Sequence, residues 1–192
     1  MVPEMSNGVH RRSIRLSAYD YTAAGAYFVT VVTADRACTF GHVADDVVRL
    51  TAIGRIVEDE WFRTADIRDS VGAGERTFEH DDAGVELDAF VVMPNHLHGV
   101  LWILDKPGSP TAGTPPRAPT GRKFGQPVSR SLSTIINNFK GRVTTRVRGL
   151  TVIADQTIWQ RGYYDHVIRS EESLQKIREY IIHNPARWHE DP

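Results

Sequence analysis

Four side chains in this chain have types and spacings that could do chemistry together. His96 and His98 lie in residues 90–103, an apolar, β-branched and aromatic run interrupted by the turn-forming Met93-Pro94-Asn95. If His96 opens a strand, alternation puts His96 and His98 on one face and Leu97 on the other. Two imidazoles so placed can reach one cation, although the same pattern serves two hydrogen-bonded structural histidines. Much later, Tyr180 and Asn184 lie four residues apart. On a helix they share one side, beside an apolar stripe of Leu174, Ile177 and Ile181. A phenol and an amide oxygen there could both face the histidines. Equally, Tyr180 could be a core-edge residue and Asn184 a helix end before Pro185.

The elements that must position these groups can be read in order. Residues 27–33 (Tyr-Phe-Val-Thr-Val-Val-Thr) predict a strand. Ile53, Ile56, Val57, Trp61 and Phe62 recur at helical spacing over residues 51–65, with Thr51 a candidate cap. Residues 66–84, rich in Gly, Asp and Glu, read as a loop, and the strand before Pro94 could start at Val85. Ser129 or Ser131 opens a helix to about Arg148 whose stripe is Leu132, Ile135, Ile136, Phe139 and Val143. A last strand covers about 160–168. Ser170 then caps a final helix that Pro185 stops, with Trp188 folding back on the core. The order strand, helix, two strands, helix, strand, helix predicts an α+β fold of ferredoxin-like split βαβ type. Its antiparallel sheet carries helices on one face, and a further C-terminal helix follows the last strand.

The chain of 192 residues and 21.6 kDa suits one domain over 21–192, preceded by a flexible basic arm over 1–20 with Arg11, Arg12 and Arg15. Six prolines among Gly, Thr and Ser make residues 105–127 a connecting loop. No apolar run approaches a membrane span, and the N-terminus lacks a signal peptide's apolar core, so the expected compartment is the cytoplasm. Cys38, the one cysteine, excludes an internal disulfide framework and a thiolate cluster, and reads as a small buried residue. The net charge is −1, but residues 35–88 hold 14 acidic and 6 basic side chains, while residues 121–169 hold 9 basic and 2 acidic. The basic stretch could be a face for a polyanion, or solvated surface.

Three motifs in order, Met93-Pro94-Asn95-His96-Leu97-His98, the segment 159–169 (Trp-Gln-Arg-Gly-Tyr-Tyr-Asp-His-Val-Ile-Arg) and Glu179-Tyr180-Ile181-Ile182-His183-Asn184-Pro185, resemble the REP-associated tyrosine transposases. These are single-tyrosine HUH transposases of insertion-sequence type, whose middle helix is also similar to residues 135–140. The resemblance covers about 21–189; the acidic helix region and the Pro-rich loop are particular to this chain. It implies a ferredoxin-like sheet with the histidine pair on a central strand, a nucleophilic tyrosine at Tyr180, and a metal site of His96 and His98 completed by Asn184. Two imidazoles and a carbonyl oxygen suit Mg²⁺ or Mn²⁺.

The implied substrate is single-stranded or hairpin DNA, cut and rejoined through a 5′-phosphotyrosine link. A phenol with pKa about 10 needs help to ionise, for which the metal, Lys140 or a nearby arginine are the candidates. Lys140, Arg142, Arg146, Arg148, Arg161, Arg11, Arg12 and Arg15 would contact phosphates, and Trp159 or Tyr163 could stack on an unpaired base. Tyr163 and Tyr164 are rival tyrosines, for which strand packing is the expected role. Two other classes remain open: a domesticated DNA-binding protein that does not cut, and a metal-dependent phosphodiester hydrolase using water. The resemblance is compatible with a monomer or a homodimer.

Overall fold

The structure, a computed structural model, describes residues 20–69, 84–104, 131–150 and 157–190. Its order is β1 (Gly25–Val32), β2 (Gly41–Ala44), β3 (Val47–Leu50), α1 (Ala52–Asp69), β4 (Val85–Val92), β5 (His96–Ile103), α2 (Leu132–Leu150), β6 (Tyr164–Ile168) and α3 (Glu171–His183). Short 3-10 turns follow β1 at Ala34–Arg36 and α3 at Pro185–Glu190. The arm with Arg11, Arg12 and Arg15, and the Pro-rich loop 105–127, lie outside the described residues.

Every pairing in the main sheet is antiparallel, and the order is β4-β5-β1-β6, which is the ferredoxin-like arrangement expected. β5 is therefore an inner strand. Alternation sorts its two faces. Tyr27, Val29 and Val31 of β1 join Leu97, Leu101 and Ile103 of β5 in one core with Ile56, Val57 and Trp61 of α1 and Leu132, Ile136 and Phe139 of α2. Gly99 has its place here because a Cβ would run into the Trp61 indole. The other face presents Val100 with Phe28, Trp102 and Ile168, and it packs on Leu174, Ile177 and Ile181 of α3. Two helices thus lie on one face of the sheet, and the C-terminal helix covers the other.

The predicted caps form: Thr51 Oγ1 accepts from Gly54 N–H at 3.1 Å and Ser170 Oγ from Ser173 N–H at 3.2 Å. Of the two candidates for α2, Ser131 is the cap, accepting from Thr134 N–H at 3.2 Å. Several boundaries differ from the sequence reading. α1 continues through Asp69 into the expected loop. β6 begins only at Tyr164, because Gly162 takes φ +81 and breaks the strand after Trp159, which keeps a single bridge to Thr33. The β2–β3 hairpin was not anticipated. Its turn uses Asp45 and Asp46, both left-handed (φ 53 and 58), in place of the glycine that usually signals it. Cys38 is exposed rather than buried. No helix among the described residues is long and apolar enough to cross a membrane.

Candidate functional site

The turn at residues 93–95 delivers the histidines. Met93 N–H donates to His96 O at 2.8 Å, closing the β4–β5 connection. The loop after β1 braces it: Thr33 N–H donates to Asn95 O at 2.9 Å, and the buried Thr33 hydroxyl lies 2.9 Å from both Asn95 O and Ala37 O. On β5 the two imidazoles then stand side by side, with ring centroids 4.4 Å apart, His96 5% and His98 6% exposed.

Hydrogen bonds orient each ring. His96 Nδ1–H donates to Asn95 Oδ1 at 2.6 Å, since a carbonyl oxygen can only accept, and this leaves the lone pair on Nε2. His98 Nδ1 and Thr30 Oγ1 share a bond of 2.8 Å, and Phe28 stacks on the ring with centroids 5.3 Å apart. Burial, then the neighbouring His96, pushes the His98 pKa down to about 3, so the ring stays neutral near pH 7 with a nitrogen lone pair available.

α3 brings the second half. Tyr180 Oη lies 3.1 Å from His98 Nε2, with its ring edge-on to Phe28, and remains 40% exposed. One turn later Asn184 is 3% exposed, and no donor among the described residues reaches its Oδ1. Four residues further on, in the 3-10 turn opened by Pro185, Trp188 leans over His96 at 6.3 Å between centroids. The helix end therefore runs from His98 toward His96, with Asn184 between the two contacts. Asp88 of β4 holds α3 down through a two-pronged bond to Arg178, at 2.9 and 2.6 Å. That guanidinium, with help from Trp102, holds the Asp88 pKa down to about 2.

The donor set fits a divalent cation in chemistry: two imidazole nitrogens with lone pairs and a buried amide oxygen that lacks a donor. Among the described residues, no three His, Cys, Asp or Glu side chains are grouped so as to hold a metal ion.

The other predicted residues lie elsewhere. α2 packs on the opposite face of the sheet from Tyr180, so Lys140 is not placed to activate it. Lys140 instead donates to the carbonyls of Gln160 (2.7 Å) and Gly162 (2.9 Å) and sits 5.7 Å over the Trp159 ring, and burial lowers its pKa to about 8. Arg142 donates to Glu60 Oε2 at 2.8 Å and to Thr64; Arg146 donates to Glu60 Oε1 at 2.9 Å and to Asp59 at 3.1 Å. Both join α2 to the acidic side of α1 rather than forming an open basic face.

Arg148 is exposed beside a cavity of about 410 Å³ under the loop after β1, and Arg161 is exposed. Trp159 is buried against Phe40 and Phe139 with its N–H given to Lys140 O, and Tyr163 bonds Ser133, so neither ring stands ready for a base. Tyr164 pairs with Thr30 in β6 and is 42% exposed on the histidine face. Arg11 and Arg12 lie outside the described residues.

Sequence reading missed three residues at the site. Thr30 was accessible in principle, since it alternates onto the same side of β1 as Phe28. Asn95 was seen only as a turn former. Arg36, which lines a cleft of about 80 Å³ with Thr30, Asn95, His96, His98 and Tyr164, gave no signal: it lies in the acidic stretch.

No family model matches the chain. A protein of Haemophilus influenzae (strain ATCC 51907 / DSM 11121 / KW20 / Rd), described as uncharacterised, is 34% identical over 193 residues, covering 100% of this chain and 97% of that one. Among solved structures, a REP-associated tyrosine transposase bound to a REP hairpin matches with a TM-score of 0.55 and 16% identity, over 92% of this chain and 74% of that one. A structure from Deinococcus radiodurans R1 matches at a TM-score of 0.45 and 16% identity, over 88% of this chain and 95% of its own. At 16% identity, the likeness to the REP-associated tyrosine transposase establishes the fold alone.

Proposed function

We propose that this chain, which belongs to the same family as the Haemophilus influenzae protein and has the fold of a REP-associated tyrosine transposase, cuts and rejoins single-stranded DNA at hairpin sites through Tyr180. The observation that carries this reading is the placement of a half-exposed phenol 3.1 Å from Nε2 of His98, which stands beside His96 as one of two buried histidines. A tyrosine kept only for packing would not need its hydroxyl at that nitrogen.

His96, His98 and Asn184 would hold a divalent cation such as Mg²⁺ or Mn²⁺, which when bound supplies positive charge to the scissile phosphate. Asn95 and Thr30 fix the imidazoles for that task by engaging their Nδ1 atoms. His98 Nε2 serves one partner at a time, so the Tyr180 hydroxyl would have to leave it for His98 to act as a ligand. The phenolic proton passes to solvent, and Tyr180 Oη forms a bond to phosphorus. The bond from phosphorus to the 3′ oxygen breaks and that oxygen takes a proton from solvent, leaving a 3′-hydroxyl and a 5′-phosphotyrosine. A 3′-hydroxyl of another strand reverses the step, rejoining DNA with no loss of the phosphodiester's bond energy.

The test is a denaturing gel of the protein with Mn²⁺ and end-labelled hairpin DNA drawn from repeats near its own gene. A covalent adduct on the DNA portion 3′ of the cut is expected. Tyr180→Phe should abolish it while hairpin binding persists, and Tyr163→Phe and Tyr164→Phe should both retain it. Cleavage surviving Tyr180→Phe without an adduct would establish a water nucleophile. Binding with no cleavage under any metal would establish a DNA-binding protein.

A further inference from the structure

Among the described residues that line the cleft beside the histidines, one carries a fixed positive charge, and it comes from an unexpected part of the chain. Arg36 ends the 3-10 turn Ala34–Arg36 directly after β1. Two consecutive residues there, Asp35 (φ 53) and Arg36 (φ 54), hold left-handed backbone, which side chains other than glycine and asparagine adopt at a cost. The surrounding bonds enforce it. Thr33, 1% exposed, ties the start of the turn to Asn95 and Ala37, and Ala34 N–H donates to Ile158 O at 2.9 Å. A strained turn braced on both sides sets the direction of one side chain, and Arg36 lines the cleft that also holds His96, His98 and Tyr164.

We infer that Arg36 is a substrate-binding catalytic residue that takes a non-bridging oxygen of the scissile phosphate; this rests on the strand-transfer reading of the site. The cleft, about 80 Å³ and open to solvent, has room for a phosphate group. A guanidinium offers a planar fork of donors that matches two phosphate oxygens, and it stays charged at every working pH. Among the described residues that line the cleft, Arg36 carries the fixed positive charge, and the phosphate gains negative charge as Tyr180 attacks. The half-exposed Tyr164 ring also lines the cleft.

The experiment compares wild type, Arg36→Asn and Arg36→Lys. Asparagine removes the charge while tolerating the left-handed backbone, so loss of folding does not confuse the result, and circular dichroism melts check this. Single-turnover adduct formation with Mn²⁺ on the hairpin substrate should slow by about 10²–10³-fold in Arg36→Asn and be partly rescued in Arg36→Lys.

A phosphorothioate at the scissile position supplies a readout that a structural role would not move. The sulfur isomer facing Arg36 should slow wild type, and the penalty should vanish in Arg36→Asn. Independently of cleavage, on a Tyr180→Phe background, Arg36→Asn should lower the slope of log affinity against log salt by about 1. An unchanged rate, sulfur effect and salt slope, with adduct forming normally, would overturn the assignment while the strand-transfer reading stood. No adduct in wild type, with the salt slope still lowered by Arg36→Asn, would keep the phosphate contact and remove the transfer reaction.

Discussion

The two faces of the sheet bury different kinds of polar group. On the face covered by α1 and α2, a buried carboxylate is saturated: Glu60, 1% exposed, receives Arg142 and Arg146, while Arg142 also reaches Thr64. Aromatic rings fill the space around it, with Trp61 edge-on to Phe139 and Phe139 against Trp159. On the face covered by α3, two imidazoles and an amide are buried nearly as deeply, yet the Asn184 oxygen has no donor among the described residues and Tyr180 stays half exposed. Leaving a buried acceptor unmatched costs about 1–3 kcal/mol, and a fold keeps such a cost where a ligand can remove it. The first face also leaves one buried group without a partner among the described residues, the Trp61 N–H, so the contrast lies in kind: a lone indole donor there, and a histidine pair beside an amide oxygen here. Composition alone points to the first face for binding, since it puts the charge on α2.

The sharpest contrast is in metal affinity. His96→Ala with His98→Ala should weaken Mn²⁺ binding by about a hundredfold or more, and Asn184→Ala by only about tenfold, because an amide oxygen is the weaker ligand. Calorimetric titration reads both. Equal affinity in wild type and the double variant would make the second face a packing surface like the first.

Next in size, Glu60→Ala should cost about 3 kcal/mol in urea unfolding, because two arginines lose the buried carboxylate that pairs them. Its Mn²⁺ affinity should match wild type. A loss of affinity alongside stability would mean that the faces are coupled through the sheet.

The smallest effect concerns the tether between them. Asp88, on β4, holds the tyrosine helix through Arg178, and its depressed pKa gives the sign of the pH dependence. The contribution is complete above the ordinary carboxylate value of 3.8 and is lost as pH falls through about 2, because the unfolded chain takes up the proton first. Asp88→Asn should lower Tm at pH 7 by about 3 °C and remove that acid-dependent component. The same Tm loss at pH 2 as at pH 7 would show that the pair contributes through shape, not charge.

Much of this was legible because it is written in short periods. The period-2 pattern of residues 96–103 places His96 and His98 on one face, and the structure keeps them there, 4.4 Å apart. Serines at 131 and 170 and the threonine at 51 mark helix starts, since a side-chain oxygen at the cap satisfies an otherwise unmatched N–H. The spacing of Tyr180 and Asn184 forecast a shared helix side. Element order alone led to the β4-β5-β1-β6 sheet.

What the sequence by itself determined, then, is which segments become strands and helices and which side chains share a face within each. Backbone geometry repeats every two or 3.6 residues, so a local pattern suffices. Only the tertiary structure decided which face each helix covers, and with it the fate of the charges. Arg142 and Arg146 read as a basic patch along the chain, but they stand opposite Asp59 and Glu60 in space, where opposite charges pair. Arg36 read as a minority charge in an acidic stretch, yet a turn braced by Thr33 and Asn95 brings it to the histidine cleft. Electrostatic attraction depends on distance through space, which residue spacing along the chain does not encode.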